Sequence, residues 1–483
     1  MLAAVTFHRR EVLGAFGVAS ASTLLWALGC GPHVPTIRHA PQVSGEVRTW
    51  LHDAVARLAT TYPTVHALAV SRRRTTAALD VLGSGVARLR SDGVILTVRG
   101  RDGGVREHVT SELTGAGIDA AVQALGAPRR APALDFGRAP ATPAEPPRIT
   151  DLELRQRLEQ LLARDASLSS RIVYAAALID LDDAIVWSVA PGRDLEQRLV
   201  RIRRAATRAA WNGTRPVVRE LEHAWTGGLD DQPLTAADLT ATSRAALELI
   251  TPGAFADGEH TVVLDPSVAA ILLDTAVRGR LTATPRRPGA ARPAAGAQLA
   301  SPLVTLLDDP TAPGAYGGFA FDDEGALAAP LTLLDAGRGA AQLADRASGG
   351  SGRGRRPGHL ACVEPAASNL RLVPGTADTP QLYGDGLILE GGLGATYDPS
   401  TDRIRLACAR ARELRAGKPT GRVYADIELV GSLTALLSAI DAIAREPASF
   451  ALPDPADREP RWRSIATPAL RTRGLVRARR SRA

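Results

Sequence analysis

Lysine is almost missing from this chain: Lys418 stands alone among 58 basic residues, and the others are arginine. That skew reads as coding bias and carries no functional weight. Aromatic residues make up only 4%, too few for a stacking platform that binds single-stranded nucleic acid. Cysteine occurs three times, as Cys30, Cys362 and Cys408, which excludes a disulfide framework. Cys362 and Cys408 could bridge only if the fold brought them into range; the preferred reading is two reduced, buried thiols. The nine histidines (8, 33, 39, 52, 66, 108, 223, 260, 359) never fall three, four or five residues apart. No helical face therefore offers two imidazoles to one metal ion, and no HExxH run exists. A Gly-x-Ser-x-Gly nucleophile elbow is missing too. Glycine-rich runs at Gly384-Asp385-Gly386 and Gly391–Gly394 precede no helix, so they read as strand turns or bulges and not as phosphate cradles. No internal repeat is visible.

What is present is an ordinary globular composition. Of 483 residues, 45% are hydrophobic and 23% charged, with a net charge of +7. That length predicts two or three domains. Arginines from Arg471 to Arg482 concentrate much of the excess charge; they read as a solvated end, with nucleic acid an unfavoured partner.

The N-terminus has the layout of an export leader. Arg9-Arg10 precede an uncharged stretch, Val12 to Val34, that contains Gly29-Cys30. Twin-arginine export followed by lipidation of Cys30 is the first reading, giving a periplasmic or envelope lipoprotein held at a membrane. A retained membrane anchor is the second reading, and a cytoplasmic protein the third.

Periodicity predicts helices over 44–58, 111–125, 194–211 and 429–445. Short strands are expected over 65–70, 75–82, 86–90, 94–99 and 105–109, with turns at Ser91-Asp92-Gly93 and Asp102-Gly103-Gly104. A hairpin is expected across Asp182-Asp183. Thr150-Asp151-Leu152-Glu153 forms a capping box, and Asp265-Pro266 caps a helix over 267–278. The fold class is α+β: an N-terminal mixed domain with an antiparallel meander, then a β-rich C-terminal domain. Expected boundaries are a leader (1–29), an N-terminal domain (30–126), a Pro/Ala linker (127–149), a middle segment (150–250), a C-terminal domain (251–475) and a basic tail (476–483).

Five runs, in this order, carry a resemblance: Gly258–Pro266 with the helix after it, Val304–Pro310 ending in Asp308-Asp309-Pro310, Phe321-Asp322-Asp323-Glu324-Gly325, Ser368–Gly375 containing Asn369, and Thr467–Leu470. The chain resembles the TldD/PmbA (TldE) family of metallopeptidase-related proteins. In its peptidase members the central helix carries His-Glu-x-x-x-His. Here Asp274, Thr275 and Gly279 stand at the three motif positions, and 446–464 holds no cysteine for the later ligand. Asp274 and Arg278 read instead as an i, i+4 ion pair. The acidic run 322–324 lacks EF-hand spacing and reads as a turn rather than a calcium site.

The resemblance implies a subunit of the TldE/PmbA-like branch, with no catalytic residues and no cofactor of its own; zinc would come only with an intact TldD-type partner. The pair would enclose unfolded peptides in a chamber. Two alternatives stay open: an active metallopeptidase with non-standard ligands, and an envelope lipoprotein that only binds or scaffolds.

Overall fold

The computed structural model describes residues 44–80, 83–127, 134–137, 149–163, 171–283, 296–356, 363–452 and 462–479. Arg9, Arg10, Cys30 and Cys362, with most of the Pro/Ala-rich stretch, lie outside them. Among the described residues no helix is long and apolar enough to cross a membrane.

The N-terminal half is one antiparallel sheet. Its strands are β1 (Thr64–Asp80), β2 (Gly83–Arg99), β3 (Val105–Thr110), β4 (Ile172–Ala190), β5 (Arg193–Trp211) and β6 (Pro216–Thr226), in the order β3-β2-β1-β4-β5-β6. The β1–β4 pairing joins segments on both sides of the Pro/Ala-rich stretch. Helices α1 (Ser44–Ala59) and α2 (Gly115–Ala124) pack on one part of the sheet, sharing a core of Val47, Leu51, Leu96, Ile118 and Trp187. Helix α3 (Asp151–Ala163) covers Ile179 and Ile202 with Leu154 and Leu158. Its capping box forms as expected: the Thr150 and Glu153 backbone N–H groups donate to the other's side chain, at 2.7 and 3.2 Å.

Helix α4 (Ala236–Leu247) leads into the C-terminal half, α+β and β-rich as anticipated. There, β7 (Gly258–Leu264) enters α5 (Pro266–Arg280). The remaining strands are β8 (Leu306–Asp308), β9 (Leu331–Asp335), β10 (Arg338–Gly339), β11 (Gly354–Arg355), β12 (Glu364–Pro365), β13 (Asn369–Leu372), β14 (Gly386–Asp398), β15 (Arg403–Arg415), β16 (Lys418–Ser432), β17 (Ala442–Ile443), β18 (Ala448–Ala451), β19 (Ser464–Thr467) and β20 (Leu470–Ala478). Five long strands run β16-β15-β14-β7-β20, and β20 pairs again with β16, closing a ring. A second sheet has the order β10-β9-β8-β13-β19-β18. Helix α5 and the six-residue α6 (Leu433–Ser438) join both sheets in the largest apolar core.

Several local expectations fail where strands run longer than the local pattern suggests. Residues 194–211 form a strand, not a helix: β4 and β6 hydrogen-bond along both its edges. The Leu195-Leu199-Ile202 spacing mimics a helix because β5 is buried on both faces, which erases the alternation that marks a half-exposed strand. The helical reading would place its arginines (198, 201, 203, 204, 208) on a solvated basic face, but Arg201 and Arg208 are fully buried. Asp182-Asp183 lies inside the continuous β4, and the reversal comes ten residues later at Gly192, which has φ 74°. Likewise Ser91-Asp92-Gly93 is mid-strand in β2. The turn at Gly103, φ 78°, is where it was anticipated. The helix expected over 429–445 shrinks to α6, because β16 continues to Ser432 and β17 follows. At the C-terminus, Arg471–Ala478 is not a solvated end but strand β20 of the closed ring.

Candidate functional site

Local sequence sets the start of α5. The Asp265 carboxylate accepts the Val268 N–H at 2.8 Å, and Pro266 occupies the first helical turn, where it loses no hydrogen bond. The same carboxylate accepts the Gly391 N–H at 3.0 Å, while Ser267 Oγ accepts that of Gly392. The register of β14 shifts at Gly392. This is the bulge anticipated from the glycines, and a side chain at Gly392 would run into Ser267 and Ile271. The helix is thereby pinned against the ring.

Asp274 points from α5 into the interior and is only 4% exposed. Its Oδ2 accepts from Arg278 Nε at 2.8 Å, the i, i+4 pair expected. Its Oδ1 is held by Arg463 Nη2, from the chain just before β19. The pair is therefore not the weak surface contact the spacing alone suggests: one guanidinium is fully buried with it. Thr275 returns its hydroxyl to the Ile271 carbonyl at 2.7 Å, an ordinary intrahelical bond. Gly279 faces the Tyr397 ring of β14. A β-carbon there would sit 2.7 Å from ring Cδ1. The Tyr397 hydroxyl is fixed in turn by Arg280 Nε at 3.1 Å and Asp402 at 3.2 Å.

A tetrahedral metal site needs several free N, O or S donors on one centre. Here Asp274 has both oxygens engaged by guanidinium groups, Thr275 bonds its own helix, and Gly279 has no donor. These residues do not fit a zinc ion. Among the described residues no group of three or more His, Cys, Asp or Glu is placed to hold one.

The other motif residues meet in two knots. In the first, Asp308 is wholly buried; its Oδ1 accepts from Ser368 N and Oγ and from Asn369 N at 2.8 to 2.9 Å. Arg353 Nε faces Asp308 Oδ2 at 2.5 Å. Asn369 donates to the Asp309 carbonyl and accepts from Gly317 N and Ser464 Oγ. Asp309 caps Thr311, and the Pro310 carbonyl accepts from Phe319 N. In the second knot, Asp322 accepts three backbone N–H groups, from Glu324, Ala326 and Gly354, at 2.8 to 3.0 Å. Asp323 and Glu324 accept those of Arg356 and Arg346. Gly325, φ 73°, closes the turn against Ser188 and His66. The acidic run is thus a turn whose carboxylates are spent on the backbone, not a cation site. His66 and Ser188 make a 2.9 Å contact there, but both are sealed under Gly325. Burial and nearby arginines push the His66 imidazole down to about 3.

Two residues that matter here were not identified from sequence: Arg463 and Tyr397. Arg463 lies 189 positions from Asp274, and neither residue stands in a recognisable pattern. The preceding residue, Trp462, packs against the N-terminal sheet: Arg72 and Arg201 lie over its ring at 4.1 and 4.7 Å. Cys408 is buried in β15 as expected, and burial raises its thiol well above the ordinary range. His260 lies within β7, 5.8 Å from the Phe255 ring.

Comparison with known proteins agrees with this architecture. A metalloprotease of Methanocaldococcus jannaschii is 27% identical over 219 residues, covering 43% of this chain and 48% of that protein; the match spans about half of the relative's length. A metalloprotease of Methanothermobacter thermautotrophicus is 23% identical over 334 residues, 65% of this chain and 71% of the relative. Among solved structures, a Thermotoga maritima protein described as a modulator of a DNA gyrase superposes with a TM-score of 0.68 at 16% identity, over 90% of this chain and all of that one. TldE from Thermococcus kodakarensis gives 0.66 at 14% identity, over 86% and 97%. These likenesses show a shared fold. Residues 257–478 match the PmbA/TldA metallopeptidase C-terminal domain, so the C-terminal half of the chain carries a domain of that family.

Proposed function

We propose that this chain is a non-catalytic, TldE-like subunit that shapes a peptide-binding chamber with an intact TldD-type partner, which supplies the zinc and cleaves unstructured peptides. One observation carries the reading: at the family's metal-helix positions, Arg463 and Arg278 take both oxygens of Asp274, and the Tyr397 ring fills the space a residue-279 imidazole would need. A buried guanidinium brings positive charge to the carboxylate, and a second cation there would meet repulsion at short range. Extended peptides would enter partly by strand addition. We further propose export by Arg9-Arg10 and lipid attachment at Cys30.

The test is metal analysis of the purified chain together with peptide-cleavage assays. Substoichiometric zinc, no cleavage by the chain alone and cleavage once a TldD-type partner is added are expected. Tightly bound zinc at one ion per chain would refute the non-catalytic reading.

A further inference from the structure

A groove of about 680 Å³ opens on the surface between the chain leaving α4 and the start of β16, within the size range of small-ligand sites. It lies on the outer end of the β15–β16 hairpin and uses none of the motif residues described above. One wall is apolar. Gly253 donates its N–H to the Val423 carbonyl at 2.8 Å, and the Tyr424 ring packs on Gly253 and edge-on to Phe255 at 5.1 Å.

The opposite wall is cationic. Arg412 gives Nε to Glu390 at 2.8 Å and Nη2 to Glu248 at 2.5 Å. Among the described residues its Nη1 has no acceptor. Arg410 bridges the same two glutamates, so these four residues balance in charge. Arg422 is the surplus cation. Its side chain is 68% exposed, and among the described residues its nearest carboxylate, Glu413, stands 3.8 Å away, beyond hydrogen-bonding distance. Glu413 instead accepts the Thr420 hydroxyl at 2.8 Å. The pairing of β15 with β16 shifts register between Arg412 and Leu414, and Gly421 adopts φ 87°. That bulge lifts 420–422 out of the ladder and presents Arg422 over the groove, a common use of a bulge.

Two guanidinium edges with unspent donors beside an aromatic wall match a carboxylate carried next to an apolar group. We propose that this groove binds such a carboxylate: the C-terminal residue of an extended peptide, or a free small acid of the same chemistry. The inference rests on the groove's own groups and does not need the peptide-chamber reading.

Fluorescence anisotropy on the full chain tests it. The probe is a short neutral peptide ending in leucine, labelled at its N-terminus, as free acid and as C-terminal amide; free leucine serves as competitor. The acid should bind at least about tenfold more tightly than the amide, the scale of one charge-assisted hydrogen bond. Arg422→Gln, an exposed change that leaves the fold intact, should remove most of that difference. Arg412→Gln should do the same, with its folding checked by circular dichroism. Competition by leucine assigns the small-acid source, and competition by unlabelled peptide acid alone assigns the peptide terminus; either upholds the proposal. Equal affinity for acid and amide, an unchanged affinity in Arg422→Gln, or no binding of either probe overturns it.

Discussion

Asp182 in the N-terminal sheet and Asp308 in the C-terminal half are both buried, and they are held in opposite ways. In the N-terminal sheet, charges line β1, β4 and β5; Asp180 accepts hydrogen bonds from Arg74 and Thr76, whereas Asp182 is paired loosely. Asp182 lies 3.4 Å from Arg72 and 3.7 Å from Arg201, and neither of its oxygens receives a hydrogen bond. Burial therefore raises its pKa even though two arginines pull the other way. In the C-terminal half Asp308 is firmly held. Asp308 accepts three hydrogen bonds and faces Arg353. The lesson is that ion-pair distance alone does not measure what a buried charge contributes. Directed hydrogen bonds decide whether the ionised form is favoured.

Substitutions can break or sharpen that contrast. The largest effect is expected from Asp308→Ala, which strands Arg353 and three donors in the interior. A loss of about 3–5 kcal/mol in unfolding free energy is expected by urea denaturation. A loss below about 1 kcal/mol would mean that this knot is as loose as the pairing of Asp182.

Gly279→His ranks second. The new ring must displace Tyr397 from the Arg280–Asp402 contacts, a case of overpacking expected to cost about 1–3 kcal/mol. A fully stable variant with an unmoved Tyr397 would show that space for the imidazole exists.

The smallest effect is expected from Asp182→Asn, under about 1 kcal/mol near neutral pH. Its pH dependence has a definite sign. Asp182 has a raised pKa in the folded state, so the fold prefers the proton; stability falls as pH rises from the ordinary aspartate value toward the folded one. The variant should lack that decline, so its stability relative to the parent should improve from about pH 4 upward. A decline of equal size in both proteins would place the effect in another group.

Much of the architecture is legible in the linear pattern, and the failures are physically consistent. Capping at Thr150 and Asp265, the turn at Gly103 and the bulge at Gly391-Gly392 depend on neighbouring residues, and each forms where expected. Residues 194–211 do not, because burial on both faces removes the period that distinguishes strand from helix. The arginines of that segment read as a surface because nothing local reveals that Tyr316 and Gly318 will offer carbonyls to Arg201.

Sequence by itself determined which donors the metal-helix positions can offer. Gly279 has no side-chain ligand and Asp274 has one carboxylate, whatever surrounds them. It determined too that α5 begins at Asp265-Pro266, since a cap needs only its own first turn. Only the tertiary structure decided what stands in those places. Arg463 reaches Asp274 and Tyr397 covers Gly279 across long loops of chain, and such contacts arise from sheet closure and packing, which no local period encodes.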